Sequence, residues 1–195
     1  GISSSTAPTT AETTTDARAT PTTTDTDTDT DTDTDTELVL TGHDGWVEHA
    51  VFSPDGGTIL TTSVDGTAIV WNATSGDEIL TLAASAWAPA DFSPDGTEIL
   101  TGAVDGTARV WDATTGELLV ELPGNPGYVG AATAAFSPDG TRVVTAVGDN
   151  AARVWDASTG RQLLTLSADS NTVQIAGFSP DGRRIITARQ GVNAA

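Results

Sequence analysis

Phe92–Glu117 reads FSPDGTEILTGAVDGTARVWDATTGE, and the same pattern returns at Phe52–Asp77 (FSPDGGTILTTSVDGTAIVWNATSGD) and Phe136–Arg161 (FSPDGTRVVTAVGDNAARVWDASTGR). A fourth copy opens at Phe178 with FSPDGRRIITARQGVNAA. The four Phe residues stand 40, 44 and 42 positions apart, a period that belongs to stacked supersecondary units. Each copy carries its own punctuation. Ser-Pro-Asp-Gly is a turn, because Pro presets φ at its second position and Gly takes a conformation that side chains disfavour. The alternating run Glu98–Thr101 follows, then Asp105-Gly106, a strong two-residue hairpin signal. A second β-prone run spans Thr107–Trp111, Asp112–Gly116 makes a third turn, and Glu117–Leu122 is a third run.

With the run before each Phe, every repeat holds four short strands joined by tight turns, which is a four-stranded antiparallel meander. One such sheet can cover neither of its faces alone, so neighbouring repeats are expected to stack face to face. Trp71-Asn72, Trp111-Asp112 and Trp155-Asp156 close the third strand of each full copy, and Gly42-His43 stands ahead of the first. On these residues the chain resembles the WD-repeat β-propeller family from about residue 38 to residue 195. The TolB-type propeller repeat shares Ser-Pro-Asp-Gly but does not require Asp-Gly-Thr-x-x-Val-Trp-Asp. The fold class expected is all-β, a partial β-propeller of four-stranded antiparallel blades behind a disordered Thr/Asp-rich tail. The repeats run at about 38–77, 78–117, 118–161 and 162–195, the last incomplete.

Composition narrows the function classes. The formal net charge is −19, and all eight basic residues are Arg. Such a chain repels phosphate backbones and anionic lipid, so nucleic acid is not an expected partner. There is no Cys, hence no disulfide framework, thiolate metal site or cysteine nucleophile. No apolar run approaches the roughly 20 residues needed to span a bilayer, so membrane insertion is not expected. The compartment stays open.

Residues 1–37 are Thr-rich low-complexity sequence with a Thr-Asp alternation from Thr24 to Thr36. They have little apolar area to bury and are expected to form a solvated, extended linker. The alternation would align Asp25 through Asp35 on one side of a strand, a pattern that hard oxygen ligands for calcium could share, although no glycine-turned loop is there to wrap an ion. Leu38–Thr41 (LVLT) matches the fourth-strand runs Ile79–Leu82 and Leu118–Glu121. It reads as a displaced strand which, in the family, completes the last blade of the ring.

In repeat one the resemblance implies a structural hydrogen-bond tetrad of His43, Ser63, Asp65 and Trp71. Asp and Ser supply the acceptors that a buried imidazole and indole N–H need. Trp111 and Trp155 are the structural tryptophans of the next two repeats. There the tetrad is expected to decay, with Ser85 and Ala103, then Asn125 and Val147, at the His and Ser positions. In the fourth copy Asp169, Arg189 and Gly191 hold the His, Ser and Asp positions. His43 and His49 are the only histidines, so a metal or catalytic role for His43 is disfavoured against a structural one. No Ser/His/Asp arrangement, phosphate loop or metal-ligand cluster stands out, so no catalytic residue, cofactor or metal is implied and an enzyme is not expected.

The better class is a non-catalytic scaffold module that binds protein or peptide, as part of a larger WD-repeat protein. Trp46, Trp87 and Tyr128 break the repeat just before the first strand, with Thr172 at that place in the fourth copy. In the family this loop lies near the partner-binding face. Aromatics there suit interface hot spots, while packing against a neighbouring blade is the structural alternative. Phe to Trp is 19 residues in each full copy, which would place a fourth Trp at position 197. The chain is therefore expected to be a fragment of a longer propeller. The alternative is a self-associating half-propeller that completes a ring as a homodimer, and a third is a propeller enzyme that needs the missing blades.

Overall fold

Ser-Pro-Asp-Gly closes the turn between first and second strands of every repeat in the computed structural model, which describes residues 37–84, 90–103, 105–124, 133–147, 149–167 and 173–189. In the first copy the Gly56 N–H donates to the Ser53 carbonyl at 2.8 Å. The Ser53 hydroxyl donates to Asp55 Oδ1 at 2.6 Å, and the Thr58 N–H donates back to Ser53 Oγ at 3.0 Å. The same Ser–Asp bond recurs at 2.7 Å for Ser93–Asp95 and at 2.6 Å for both Ser137–Asp139 and Ser179–Asp181. Gly56 sits at φ 71°, where a Cβ would strain the backbone. The residue after each Trp closes the third turn. Asn72 Oδ1 accepts the Thr74 and Ser75 N–H groups, each at 2.9 Å. Asp112 does the same for Thr114 and Thr115 at 2.9 and 2.7 Å. Asn can replace Asp there because both supply the side-chain oxygen that an Asx turn uses.

Between these turns the described residues form strands and no helix. The first sheet holds β1 (Val47–Phe52), β2 (Thr58–Ser63), β3 (Ala68–Asn72) and β4 (Glu78–Leu82). The second holds β5 (Ala90–Phe92), β6 (Glu98–Gly102), β7 (Ala108–Asp112) and β8 (Leu118–Leu122). The third holds β9 (Thr133–Phe136), β10 (Arg142–Ala146), β11 (Ala151–Asp156) and β12 (Gln162–Ser167). Among the described residues the fourth has two strands, β13 (Val173–Phe178) and β14 (Ile185–Arg189). Pairing is antiparallel and sequential in each. This is the partial propeller expected from the repeat. The Thr/Asp-rich residues 1–36, with the calcium pattern raised for them, lie outside the described residues.

Register puts the Trp on one face of each sheet. Ile59 lies opposite Trp71, Ile99 opposite Trp111 and Val143 opposite Trp155. The alternate residues, such as Leu60 opposite Val70, face the next sheet. Leu60, Val70 and Leu82 of the first sheet thus enclose Phe92, Ile99 and Trp111 of the second. Leu100, Val110 and Leu122 enclose Val143 and Trp155 of the third. Val144 and Val154 meet Val173 and Ala176 of the fourth, with Phe178 and Ile185 packed alongside. The turn glycines complete each layer. A Cβ on Gly116 would stand 3.2 Å from Leu82 Cδ2, and one on Gly160 only 2.8 Å from Val120 Cγ1, so close approach as well as positive φ requires Gly.

Each buried indole N–H has one acceptor. Trp71, Trp111 and Trp155 Nε1 donate to the hydroxyls of Thr61, Thr101 and Thr145, each at 2.8 Å. This corrects the tetrad expected from sequence. The hydroxyl bonded to Trp71 is Thr61, not Ser63. Side chains alternate faces along a strand, and both positions share a face, but Thr61 is the one opposite Ile69, in reach of the indole. Ser63 Oγ instead accepts the Asp65 N–H at 3.1 Å. Ala103 and Val147 therefore mark no decay of the Trp–hydroxyl pair, which Thr101 and Thr145 keep in repeats two and three. Ser85, Asn125, Asp169 and Gly191 lie outside the described residues, as does the Arg189 side chain.

Leu38–Thr41 is not a strand within this chain. Its packing is nevertheless that of a fourth strand. Leu38 and Leu40 lie against Gly76 as Leu80 and Leu82 lie against Gly116. A strand assignment needs a neighbour to bond with, and none of the described strands pairs with this segment.

Trp111→Ala is expected to cost about 3–5 kcal/mol, as for a large buried aromatic. Thr101→Val, which leaves the indole N–H unpaired, is expected to cost about 1–3 kcal/mol. Denaturant unfolding measures both, and a neutral Thr101→Val would remove the hydroxyl from the account. The Ser137 and Thr141 hydroxyls and the Thr141 N–H hold the Asp139 carboxyl down at about 2. Asp55, Asp95 and Asp181 are lowered first by their own Ser hydroxyls. A folded pKa below the unfolded value of about 3.9 stabilises above that pH, and the contribution fades as pH falls through the folded value. Melting temperature is therefore expected to drop between about pH 4 and pH 2. The gap between the native chain and Ser137→Ala should shrink over the same window, and a gap that stays constant would show that ionised Asp139 has no part in it.

Candidate functional site

The strand ends Leu82 and Leu122, the hairpins at Asp65 and Asp105, and the residues leading into β1 share one rim, because antiparallel order returns them all to the same end of the sheets. The Ser-Pro-Asp-Gly turns occupy the opposite rim. In repeat one the leading segment is tied down at several points. His43 Nδ1 lies 3.0 Å from Asp65 Oδ2, and His43 Nε2 lies 2.7 Å from Thr61 Oγ1. Thr61 Oγ1 is also the acceptor of the Trp71 N–H. One set of proton positions satisfies the whole chain with a neutral imidazole: Trp71 N–H to Thr61, Thr61 O–H to His43 Nε2, and His43 Nδ1–H to Asp65. The Trp71 ring meets His43 edge-on, with centroids 6.2 Å apart.

Asp65 is the hub. It also accepts the Asp44 N–H at 2.9 Å, the Thr67 N–H at 2.8 Å and the Thr67 hydroxyl at 2.6 Å. Burial pushes its carboxyl up, but the Thr67 hydroxyl and N–H, His43 and the Asp44 N–H outweigh that and hold it well below the usual carboxylate range. His43, Asp65 and Trp71 are thus brought together, with Thr61 in the place expected for Ser63.

Repeats two and three keep the hairpin Asp and change its partner. Arg109 bonds Asp105 at 3.4 Å and Glu121 at 3.1 Å. Arg153 bonds Asp149 at 2.6 Å, with Asp149 almost fully buried. In repeat one the residue four beyond Asp65 is Ile69, and His43 takes the carboxylate instead. Sequence reasoning missed this exchange, although Asp and Arg four apart across the hairpin were visible in two copies. It also missed Thr61, Thr101 and Thr145, each ten residues ahead of its Trp.

Trp46 stands on this rim with its side chain in solvent, 79% exposed. Its backbone is fixed: the Trp46 carbonyl accepts the Val64 N–H at 3.0 Å. Beside it, a Cβ on Gly45 would come 2.9 Å from Asp65 N, so the segment lies directly on the hairpin. Asp44 and Glu48, its near neighbours in sequence, are exposed. Trp87, Tyr128 and Thr172, the other repeat-breaking positions, lie outside the described residues. Among the described residues no group of three or more His, Cys, Asp or Glu side chains is placed to hold a metal ion.

A family model described as WD domain, G-beta repeat matches residues 35–72, 76–112 and 116–156, together more than half of the 195-residue chain. No curated protein matches it. Each matched unit ends at the Asn or Asp after its Trp. The sequence unit is therefore offset by one strand from the sheet, and takes in a fourth-strand segment followed by the first three strands of the next sheet. The chain belongs to the WD40 repeat family, whose members serve in general as protein-interaction scaffolds.

Proposed function

We propose that the chain is a non-catalytic module that binds a protein or peptide on the rim carrying Trp46, and that the segment it takes is basic. The observation that supports this most is a largely exposed indole on a backbone hydrogen-bonded to the Asp65 hairpin. A rigid aromatic loses little freedom when it is covered, which suits it to anchor an interface. The charge of the partner follows from its surroundings. Arg109 and Arg153, on the third strands, are each already paired with carboxylate, while Asp44 and Glu48 are exposed. A Lys or Arg over the Trp46 face would gain a cation–π contact as well. By their place in the repeat, Trp87 and Tyr128 would extend the same surface. With a net charge of −19, nucleic acid and anionic lipid would be repelled.

A second reading, association between copies of the chain, is favoured by a different observation. Phe52 on the first sheet and Ile175 and Ile186 on the fourth are exposed at 53%, 57% and 68%. Apolar faces of this kind mark association surfaces.

Titration calorimetry with an Arg/Lys-rich model peptide tests the first reading. Trp46→Ala is expected to weaken binding about 30-fold, the equivalent of a 2 kcal/mol hot spot, and to leave stability within about 0.5 kcal/mol. Equal affinity for an acidic peptide of the same length, or a loss of stability as large as that of Trp111→Ala, would reject it.

A further inference from the structure

We infer that a groove on the Ser-Pro-Asp-Gly rim, where the second and third sheets meet, takes an arginine side chain from an extended segment of a partner protein. This rim lies opposite Trp46, so the site is separate from the one proposed above.

The groove has a volume of about 300 Å³. It is lined by Pro54, Pro94 and Pro138 of three successive turns, and by Phe92, Phe136 and Asp91. The three prolines are exposed. A cleft that runs past several turns suits an extended chain better than a free small molecule. Asp91 departs from the repeat. The residue before the repeat's Phe is Val51, Asp91, Ala135 and Gly177 in turn, so only the second copy carries a charge there. The scaffold makes little use of it. Among the described residues Asp91 accepts one hydrogen bond, from the N–H of the adjacent Phe92 at 2.9 Å, and forms no ion pair.

The chain itself shows what such a place accepts. At the next junction Arg142 of the third sheet lays its guanidinium over the Phe178 ring, 5.0 Å from the centroid, and donates to the Gly182 carbonyl at 2.9 Å. The residue six positions after the repeat's Phe is Thr58, Glu98, Arg142 and Arg184 in turn. Where the second and third sheets meet, Glu98 therefore holds the place of Arg142, Phe136 that of Phe178, and Gly140 that of Gly182. The ring and the turn are kept, and the cation is exchanged for a carboxylate.

The two carboxylates share a face. Asp91 lies opposite Leu100, Glu98 is two residues before Leu100 on the same strand, and Leu100 packs in the layer with the third sheet. Glu98 forms no ion pair among the described residues. Burial, then the Asp95 and Asp112 charges, push its carboxyl up, and an incoming cation relieves that crowding. A guanidinium meets all the features at once: its plane covers Phe136, its fork pairs with carboxylate, and a remaining N–H serves the turn, as Arg142 does at Gly182. An ammonium supplies the charge without the plane or the fork.

Titration calorimetry of the full chain tests this with a short peptide carrying a single Arg flanked by Leu, on the native chain and on Trp46→Ala, which silences the other rim. Asp91→Ala and Glu98→Arg each borrow the residue that the third copy carries at that position, so the fold is expected to keep both, which a thermal melt checks. Binding is expected to persist in Trp46→Ala. In that background Asp91→Ala should weaken it about 3-fold, for one exposed charge pair. Glu98→Arg should weaken it at least about 30-fold, because the introduced side chain reverses the charge and fills the place over Phe136. Citrulline in place of the peptide's Arg should cost about 10-fold. Binding that vanishes in Trp46→Ala would overturn the groove and leave the other rim's reading intact. Undiminished binding to Glu98→Arg, or equal binding of the citrulline peptide, would overturn the arginine site. Free arginine that binds as tightly as the peptide would overturn the extended segment as its source.

Discussion

The indole N–H of each structural Trp is donated to a Thr hydroxyl on the adjacent strand, and the packing of the sheets follows from that bond. A buried indole N–H without an acceptor would cost about 1–3 kcal/mol, a large share of what burial of the ring contributes. The Thr ten residues upstream removes that cost at 2.8 Å in all three full repeats. With its N–H satisfied inside its own sheet, the indole is free to present its apolar body to the sheet before it, where Leu82 encloses Trp111 and Leu122 encloses Trp155. The turn glycine after the Trp has to admit those leucines closely. Trp, Thr and Gly are therefore one device spread over about half a repeat, and the stacking direction is set by which face the Trp occupies.

The hairpin carboxylate obeys a second constraint. Its oxygens organise the turn through the N–H two residues on, as Asp65 does for Thr67 and Asp105 for Thr107, so the Asp persists in every full copy. A carboxylate drawn partly out of water requires hydrogen-bond donors or a cation. His43 from the leading segment provides one in repeat one, and Arg109 and Arg153 from the third strand provide them in repeats two and three. The two solutions differ in consequence. Histidine ties the segment before β1 to the hairpin, whereas arginine stabilises the hairpin from within its own sheet.

Turns and strand order were legible in the sequence because each turn satisfies itself with residues only two to five positions apart. The face of the Trp was legible for the same kind of reason, since alternation along a strand is a local property. Ser63 was misplaced against Thr61 because the two share a face of β2, and only pairing with β3 decides which of them lies beneath the indole. The Arg replacements were hidden differently. Treated as a decayed histidine tetrad, repeats two and three appear to have lost a partner, when the partner had moved to another strand. Leu38–Thr41 keeps a fourth strand's packing without its hydrogen bonds, which no local pattern distinguishes.

The turns also decide how many of the acidic side chains the scaffold itself uses. The repeated Asp residues look like an acidic surface in sequence, yet Asp55, Asp95, Asp112, Asp139, Asp156 and Asp181 each accept hydrogen bonds inside their own turns. A carboxylate already holding its own N–H groups and hydroxyls has little geometry left to specify a ligand. Unspent surface is found on other side chains, at a break in the repeat and at repeated positions alike. Trp46 has a fixed backbone and an open indole, and Phe52 and Ile186 belong to sets whose other members are covered. Positions repeated in each sheet carry the turns and the stacked layers, and Trp46 is a departure from the repeat that this stacking does not use.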